Sequence, residues 1–157
     1  MTDFAVTNTI VADNQASGIW IHPSGTGTVN ATLNRVELYH NDIDGLAVED
    51  TLFTGALLSG MFVAVDESVA AGNGSVGFEV VAPASHGPAF LDVIRSVSAN
   101  NTKAFVSGVS GVLRVGQSEI FGNAVTCSGQ VGSYGDNYVS ENLDSNPPAP
   151  LGVTGRI

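Results

Sequence analysis

The side chains best suited to chemistry are one tryptophan, one histidine and two glutamates at related positions in recurring segments. Trp20 and His22 lie in GIWIHP, Glu49 in GLAVED and Glu79 in GFEVV. They alternate with apolar residues, which is the period of a strand with one solvent-facing side. A histidine beside a carboxylate can exchange protons with a substrate, and an exposed indole can stack on a sugar ring. The sequence therefore predicts a ligand-binding face of Trp20, His22, Glu49 and Glu79, with His22 and Glu49 as candidate catalytic residues.

The same residues also have a purely structural interpretation. His22 and Glu49 could form a surface ion pair worth less than about 1 kcal/mol. Trp20 could be covered by a loop or by a second subunit, because an exposed indole on a polar sheet usually has a partner. The sequence leaves both interpretations open.

Three aspartates, Asp13, Asp42 and Asp44, fall at equivalent turns and are the candidate metal ligands. Hard oxygen ligands at a turn could hold Ca²⁺. The chain contains no EF-hand or glycine-aspartate repeat pattern, so solvated turn residues are the simpler expectation. We expect no cofactor, with calcium at these aspartates as the alternative.

Charged residues recur at fixed offsets and predict ion pairs between repeats. Arg35, Glu67 and Arg95 lie at the same distance before three recurring asparagines, and Asp92 and Arg114 share another position. Stacked repeats would then place each arginine next to an opposite charge.

Several chemical motifs are missing from the sequence. There is no nucleophile elbow, P-loop, HExxH or CxxC. His40 and His86 have no evident metal partner, and Cys127, which aligns with the turn glycine of other repeats, is interpreted as a small buried residue.

The chain is an imperfect repeat centred on asparagine. The asparagines are Asn14, Asn41, Asn73, Asn101 and Asn123, with a shorter copy around Asn142. Ten residues before the first five lie Phe4, Ala31, Val63, Leu91 and Leu113, and eight before them lie Val6, Leu33, Val65, Val93 and Val115. Two apolar columns separated by a mixed one indicate half-buried strands.

This pattern predicts an all-β parallel β-helix, or β-solenoid, of about five to six coils with three short strands per coil. Equivalent residues on successive coils would stack about 4.8 Å apart. The recurring asparagines are then expected to form a side-chain ladder at a turn, where asparagine also tolerates the left-handed backbone.

The N-x-x-x-G-hydrophobic turn, the aligned valines and the closing segment SYGDNYVSENLDSN resemble right-handed parallel β-helix proteins of the pectate-lyase-like superfamily. The resemblance spans roughly residues 4–146 and implies the right-handed coil. That superfamily includes polysaccharide lyases, glycosidases, epimerases, tailspikes, adhesins and non-catalytic modules, so it leaves the function open.

Enzymes of that superfamily offer two site patterns for comparison. Lyases use an arginine base beside a carboxylate-bound calcium, which makes Arg35, Arg95 and Arg114 candidates by resemblance. An arginine paired with a carboxylate stays protonated and is a poor base. The adjacent aspartates of a β-helix glycosidase are missing from this chain.

Spacing and composition suggest a β-helix domain at 1–146 and a Pro-rich tail at 147–157. The repeats vary in length through loops at 23–30, 50–62 and 82–90. The apolar loop 50–62 is expected either to cover part of the coil, including Trp20, or to contact another subunit. A solenoid end without a cap likewise predicts self-association, or a chain cut from a longer solenoid.

The net charge of −10, with only 5 basic residues, makes nucleic acid and anionic membranes unsuitable partners. No signal peptide is visible, so the localisation stays open: cytoplasmic as written, extracellular if the chain is a fragment. The sequence favours a non-catalytic binding or assembly module, with a polysaccharide as the candidate ligand and a homo-oligomer as the expected state. The alternative is a polysaccharide lyase or glycoside hydrolase acting at the Trp20, His22 and Glu49 face.

Overall fold

The computed structural model describes residues 1–24, 27–50, 60–84 and 87–150, and over these ranges the chain consists of strands and turns with no helix. In chain order the strands are β1 (Thr2–Ala12), β2 (Ile19–Ile21), β3 (Val29–Tyr39), β4 (Leu46–Glu49), β5 (Met61–Asp66), β6 (Val69–Ala71), β7 (Val76–Val81), β8 (Ala89–Ile94), β9 (Val97–Ala99), β10 (Lys103–Ser107), β11 (Gly111–Gly116), β12 (Glu119–Phe121), β13 (Val125–Ser128), β14 (Val131–Ser133), β15 (Tyr138–Ser140) and β16 (Ala149–Pro150).

The strands pair in parallel and form two sheets. The larger sheet has the order β15-β12-β9-β6-β3-β5-β8-β11-β14-β16, with β1 on the free side of β3, and the smaller has the order β13-β10-β7-β4-β2. Within the described residues each recorded strand pair is parallel. The all-β, parallel architecture predicted from the sequence is confirmed, and it is consistent with a β-solenoid.

The predicted register of the apolar columns is also confirmed. Phe4 pairs with Ala31, and the column continues through Val63 and Leu91 to Leu113. The second column, from Val6 to Val115, follows the same pairs of strands. Because these positions alternate along each strand, one side of β3, β5, β8 and β11 fills a continuous core.

The smaller sheet contributes the other side of the core. Leu46, Phe78 and Phe105 lie in register, and the rings of Phe78 and Phe105 stack with centroids 5.8 Å apart. Cys127 is paired with Phe105 inside β13 and is buried. The prediction that Cys127 aligns with the turn glycines is therefore wrong. Cys127 follows Asn123 by four residues, whereas Phe78 follows Asn73 by five, so the turn before β13 is one residue shorter.

Both corners next to the larger sheet turn through left-handed residues. One column of positive φ contains Asn8, Arg35, Glu67, Arg95 and Gln117; the other contains Asp13, His40, Gly72, Asn100, Gly122 and Glu141. The second column immediately precedes the ladder asparagines, so the expectation that those asparagines are themselves left-handed is wrong. The preceding residue turns the backbone, which lets each asparagine aim its amide along the stack.

The recurring asparagines form a continuous hydrogen-bonded ladder. The backbone N–H and the Nδ2 of each asparagine donate to the Oδ1 of the next, from Asn14 through to Asn142, at 2.8–3.3 Å. Every Nδ2 from Asn41 onward also donates to a backbone carbonyl of the preceding coil. The amides therefore satisfy corner groups that leave the sheet ladder.

A second ladder was not predicted from the sequence. Ser68, Ser96, Ser118 and Asn137 each lie five residues before a ladder asparagine, and their side-chain oxygens accept the backbone N–H of the preceding coil at 3.0–3.1 Å. The constant spacing was visible in the sequence, but serine is too common in this chain for the offset to stand out.

Gly45 shows why a glycine follows the ladder asparagine. A Cβ at this position would lie 2.7 Å from the carbonyl oxygen of Gly77 and 3.1 Å from Nδ2 of Asn73. A side chain here would push apart two coils that the asparagine amides hold together.

The strands take up more of the predicted loops than expected. Met61 and Phe62 belong to β5, Ala89 and Phe90 to β8, and Val29 begins β3. Residues 51–59 of the apolar loop lie outside the described residues, as do residues 25–26 and 85–86 of the other two.

At the C-terminal end, β16 follows the predicted domain boundary at residue 146 and pairs with β14, which precedes it. The boundary itself stays a prediction, and residues 151–157 of the tail lie outside the described residues. Among the described residues no helix has the length and apolar character needed to cross a bilayer.

The ladder should dominate stability. We expect Asn73→Ala to lower the free energy of unfolding by about 3 kcal/mol, because the buried N–H of Asn41 and the carbonyl of Leu38 lose their partner. Urea denaturation measures the change. Asn30→Ala, which removes only an exposed bond to Asp3, should cost less than about 0.5 kcal/mol. Equal losses in the two variants would contradict the role given to the ladder.

Candidate functional site

The candidate site lies on the outer side of the smaller sheet, where β2, β4 and β7 run next to each other. Trp20 is in register with Ala47, and Ala47 with Glu79. Trp20 is 59% exposed, whereas Ala47 is 1% exposed. The row therefore has an exposed indole at one end and a covered alanine next to it.

Trp20 and His22 form one unit on this face. Their ring centroids are 4.5 Å apart and their planes differ by 24°, which is a stacked arrangement. Ile21 is in register with Val48, so His22, the first residue after β2, follows this pair on one side and Glu49 of β4 follows it on the other. The structure thus brings the predicted site residues to one face.

Two hollows meet at Trp20. The first, which we call the acidic hollow, has a volume of about 220 Å³ and is lined by Ala16, Ser17, Trp20, Ile43, Asp44 and Glu49. The second, the edge hollow, has a volume of about 310 Å³ and is lined by the outer strand and turn residues Thr2, Phe4, Ile19, Trp20, Ile21, His22, Pro23 and Val29. Because His22 covers one face of the indole, a ligand that stacks on Trp20 would use the other face.

Asp44 is a fixed part of the acidic hollow. It is 5% exposed, its Oδ1 accepts the Val76 N–H at 3.0 Å and its Oδ2 accepts the Ser17 hydroxyl at 3.1 Å. Sequence reasoning treated it as a solvated turn residue or a calcium ligand. The neighbouring coils bury it instead, because both of its partners come from adjacent turns.

Glu79 sits in an unfavourable place for a charge. Burial raises its pKa to about 7, with further contributions from the negative charges of Asp44 and Glu49, and Lys103 partly opposes the shift. These three carboxyl groups therefore share one electrostatic environment. A proton or a cationic group close to them relieves their mutual repulsion.

The structure does not bring the three predicted calcium ligands together. Asp13 is exposed with Oδ1 4.0 Å from Nδ1 of His40, Asp42 is also exposed, and Asp44 is buried in the hydrogen bonds described above. In the part of the chain that the structure describes, no group of three or more His, Cys, Asp or Glu side chains is placed to hold a metal ion.

Two arginines lie in a charged column at a corner, away from the Trp20 face. Arg35 Nη1 lies 3.6 Å from Glu67, and Arg95 Nε lies 3.9 Å from the same carboxylate. Arg95 also makes a short ion pair with Asp66. Both guanidinium groups are thus paired with carboxylates, which does not favour either as a base.

The third arginine belongs to a different surface, on the outer side of the larger sheet. Arg114 Nη1 is 3.8 Å from Asp92, and its guanidinium carbon lies 5.8 Å from the centroid of the Phe90 ring. Burial raises the pKa of Asp92, although Arg114 opposes the shift. Phe90 stacks on the exposed Phe62 with centroids 5.1 Å apart. Sequence reasoning missed this aromatic pair because it placed Phe62 in the variable loop.

The remaining predictions concern the Cys127 thiol, the loop expected to cover Trp20, and His86. Burial raises the pKa of the Cys127 thiol to about 12, with a smaller contribution from Asp144, so it is not a reactive thiolate. The proposed cover of Trp20 by the loop 50–62, and the role of His86, involve residues outside the described ranges.

The chain matches no protein-family model, and no curated protein or solved structure is significantly similar to it. The functional argument therefore depends on the geometry of the site.

Glu79 provides a pH-dependent test of this geometry. Its folded pKa is raised, so between about pH 4.5 and 7 the folded protein holds more protons than the unfolded chain, and stability falls as pH rises. We expect Glu79→Gln to leave stability unchanged at pH 4 and to raise it by about 1 kcal/mol at pH 8, after allowance for solvent screening. Denaturant titrations across this range measure the difference. Glu119→Gln, at an exposed position in β12, is the matched control for loss of one charge, and a similar gain there would contradict the assignment.

Proposed function

We propose that this protein is a non-catalytic β-solenoid module that binds carbohydrate on the Trp20 face and assembles with copies of itself. Its architecture would be a right-handed parallel β-helix of the pectate-lyase-like kind, with about five to six coils and three strands per coil. The observation that carries the binding function is the exposed indole of Trp20, stacked on His22 between two hollows.

Several features support the proposed architecture. The succession β5, β6, β7 is followed by β8, β9, β10 and by β11, β12, β13, and each strand pairs with its equivalent in the next set. The asparagine ladder joins equivalent corners from Asn14 to Asn142. The right-handed coil follows the usual handedness of parallel crossovers.

A carbohydrate ligand suits the chemistry of the face. The apolar side of a sugar ring packs on an indole, while its hydroxyl groups bond to neighbouring polar side chains. Glu49 and Ser17 line the acidic hollow and can accept or donate such bonds. This combination of one aromatic platform and a few polar groups needs no reactive residue.

A glycoside hydrolase is the second candidate, and Glu79 is the observation that favours it. A carboxyl group with a pKa near 7 beside a second carboxylate can serve as a general acid at neutral pH. The binding module remains the better-supported proposal because Glu79 is separated from Trp20 by Ala47, which is itself buried.

Titration calorimetry with neutral and acidic oligosaccharides, each with calcium and with chelator, tests the binding function. We expect one class to bind and Trp20→Ala to weaken that binding about tenfold, because the variant removes the stacking surface. Tyr138→Ala, which truncates an exposed aromatic residue in β15, is the matched control and should bind normally. Equal affinity in the wild-type protein and in Trp20→Ala would reject this site. Cleavage of a bound oligosaccharide, lost in Glu79→Gln, would establish the hydrolase instead.

The outer strand β1 supports the assembly part of the proposal. Within the described strands β1 pairs with β3 alone, which leaves its other edge free to pair. Phe4 and Ile10 expose apolar surface on this strand, and Ile10 is 68% exposed. A second copy that added its own β1 would cover both the edge and the apolar side chains.

Light scattering over a dilution series tests this contact. We expect a concentration-dependent dimer whose dissociation constant rises at least tenfold in Ile10→Lys, because a charge would be buried against the second copy. Val109→Lys changes an even more exposed apolar residue in the turn between β10 and β11 and should leave the dimer intact. A monomer at all concentrations, or equal effects of the two variants, would reject assembly through β1.

A further inference from the structure

The charge of the acidic hollow points to a particular kind of sugar. Asp44 and Glu49 line the hollow, and both act electrostatically on Glu79 in the same sheet. Lys103 is the one cation among the groups that act on Glu79. The local surplus is therefore negative, in a chain with a net charge of −10.

The aromatic wall of the acidic hollow also favours a positively charged group. The face of an indole carries partial negative charge and attracts cations, most strongly for tryptophan among the aromatic side chains. Trp20 and Glu49 border one hollow, so a cationic group placed there would meet the ring and the carboxylate together. An anionic sugar would be repelled by the same groups.

The size of the hollow limits how much ligand it encloses. Its volume of about 220 Å³ is below the range of roughly 300–1,000 Å³ that encloses drug-sized ligands. One sugar ring with its substituent fits this space, while further units of a chain would extend over the exposed face.

We propose that the acidic hollow selects amine-bearing sugars, with the protonated amine held between the indole of Trp20 and the carboxylate of Glu49. This inference rests on the proposed carbohydrate-binding function and names its ligand class. Asp44 stabilises the cation from a fixed position, because its two hydrogen bonds hold the carboxylate in the wall of the hollow. Burial raises the pKa of Glu79 in the neighbouring strand β7 to about 7, so this group adds negative potential only above that pH.

Calorimetry with fully deacetylated and fully N-acetylated chitotetraose at pH 6.0 tests the charge preference, since the two differ in the amine and the protonated amine is charged at this pH. We expect the deacetylated sugar to bind at least tenfold more tightly, and this preference to shrink as salt is added. Glu49→Gln should reduce the preference to less than about threefold. Glu119→Gln removes one carboxylate outside the hollow and should preserve it.

The outcomes separate this inference from the function on which it rests. Equal, Trp20-dependent binding of the two sugars would keep the carbohydrate site and overturn the charge preference. Tighter binding of a uronic-acid oligosaccharide would overturn it as well. If neither chitotetraose binds but tetramethylammonium ion binds and is lost in Trp20→Ala, the cationic site is supported and the carbohydrate function is rejected. If no probe binds, both are rejected.

Discussion

The asparagine amide at each corner is the interaction on which the rest of this structure depends. An amide carries a donor and an acceptor as a peptide group does, so a column of asparagines can continue the parallel hydrogen-bond pattern where the backbone leaves the sheet. Each coil is thereby held at a fixed register on its neighbour. The left-handed residue directly before each ladder asparagine, and Gly45, four residues after Asn41, follow from this ladder. Both make room for an amide that points along the stack.

A fixed register determines which outward side chains become neighbours. Residues separated by about one repeat in sequence meet on the surface whatever the length of the loops between them. In this way Trp20, Ala47 and Glu79 come to share one row on the smaller sheet, while Phe62 and Phe90 share another on the larger sheet. The asparagine ladder and the core columns carry the stability, so the outward rows are free to carry different chemistry on the same scaffold.

The charged side chains on the stacked strands fall into two arrangements, paired opposite charges and grouped carboxyl groups. At the corner and on the larger sheet, arginines alternate with carboxylates in ion pairs, which limits the chemistry they can do. On the Trp20 face, burial raises the pKa of Glu79, the negative charges of Asp44 and Glu49 add to the shift, and Lys103 opposes it. Like charges kept together in this way cost stability, and a cation that enters the acidic hollow offsets that cost.

The sequence by itself determined the all-β parallel architecture, the register of the core columns and the partners in the arginine columns, because alternation and fixed offsets are properties of a linear string. It also predicted that Trp20, His22 and Glu49 lie on one face. It could not show that Asp44 is buried, since its partners Ser17 and Val76 come from adjacent turns of the stack. Phe62 and Phe90 share a fixed offset of eleven residues before Asn73 and Asn101, but sequence reasoning assigned both to variable loops and so missed their contact. Depth and contact between coils are decided only when the coils stack, and the shape and charge of the acidic hollow depend on both.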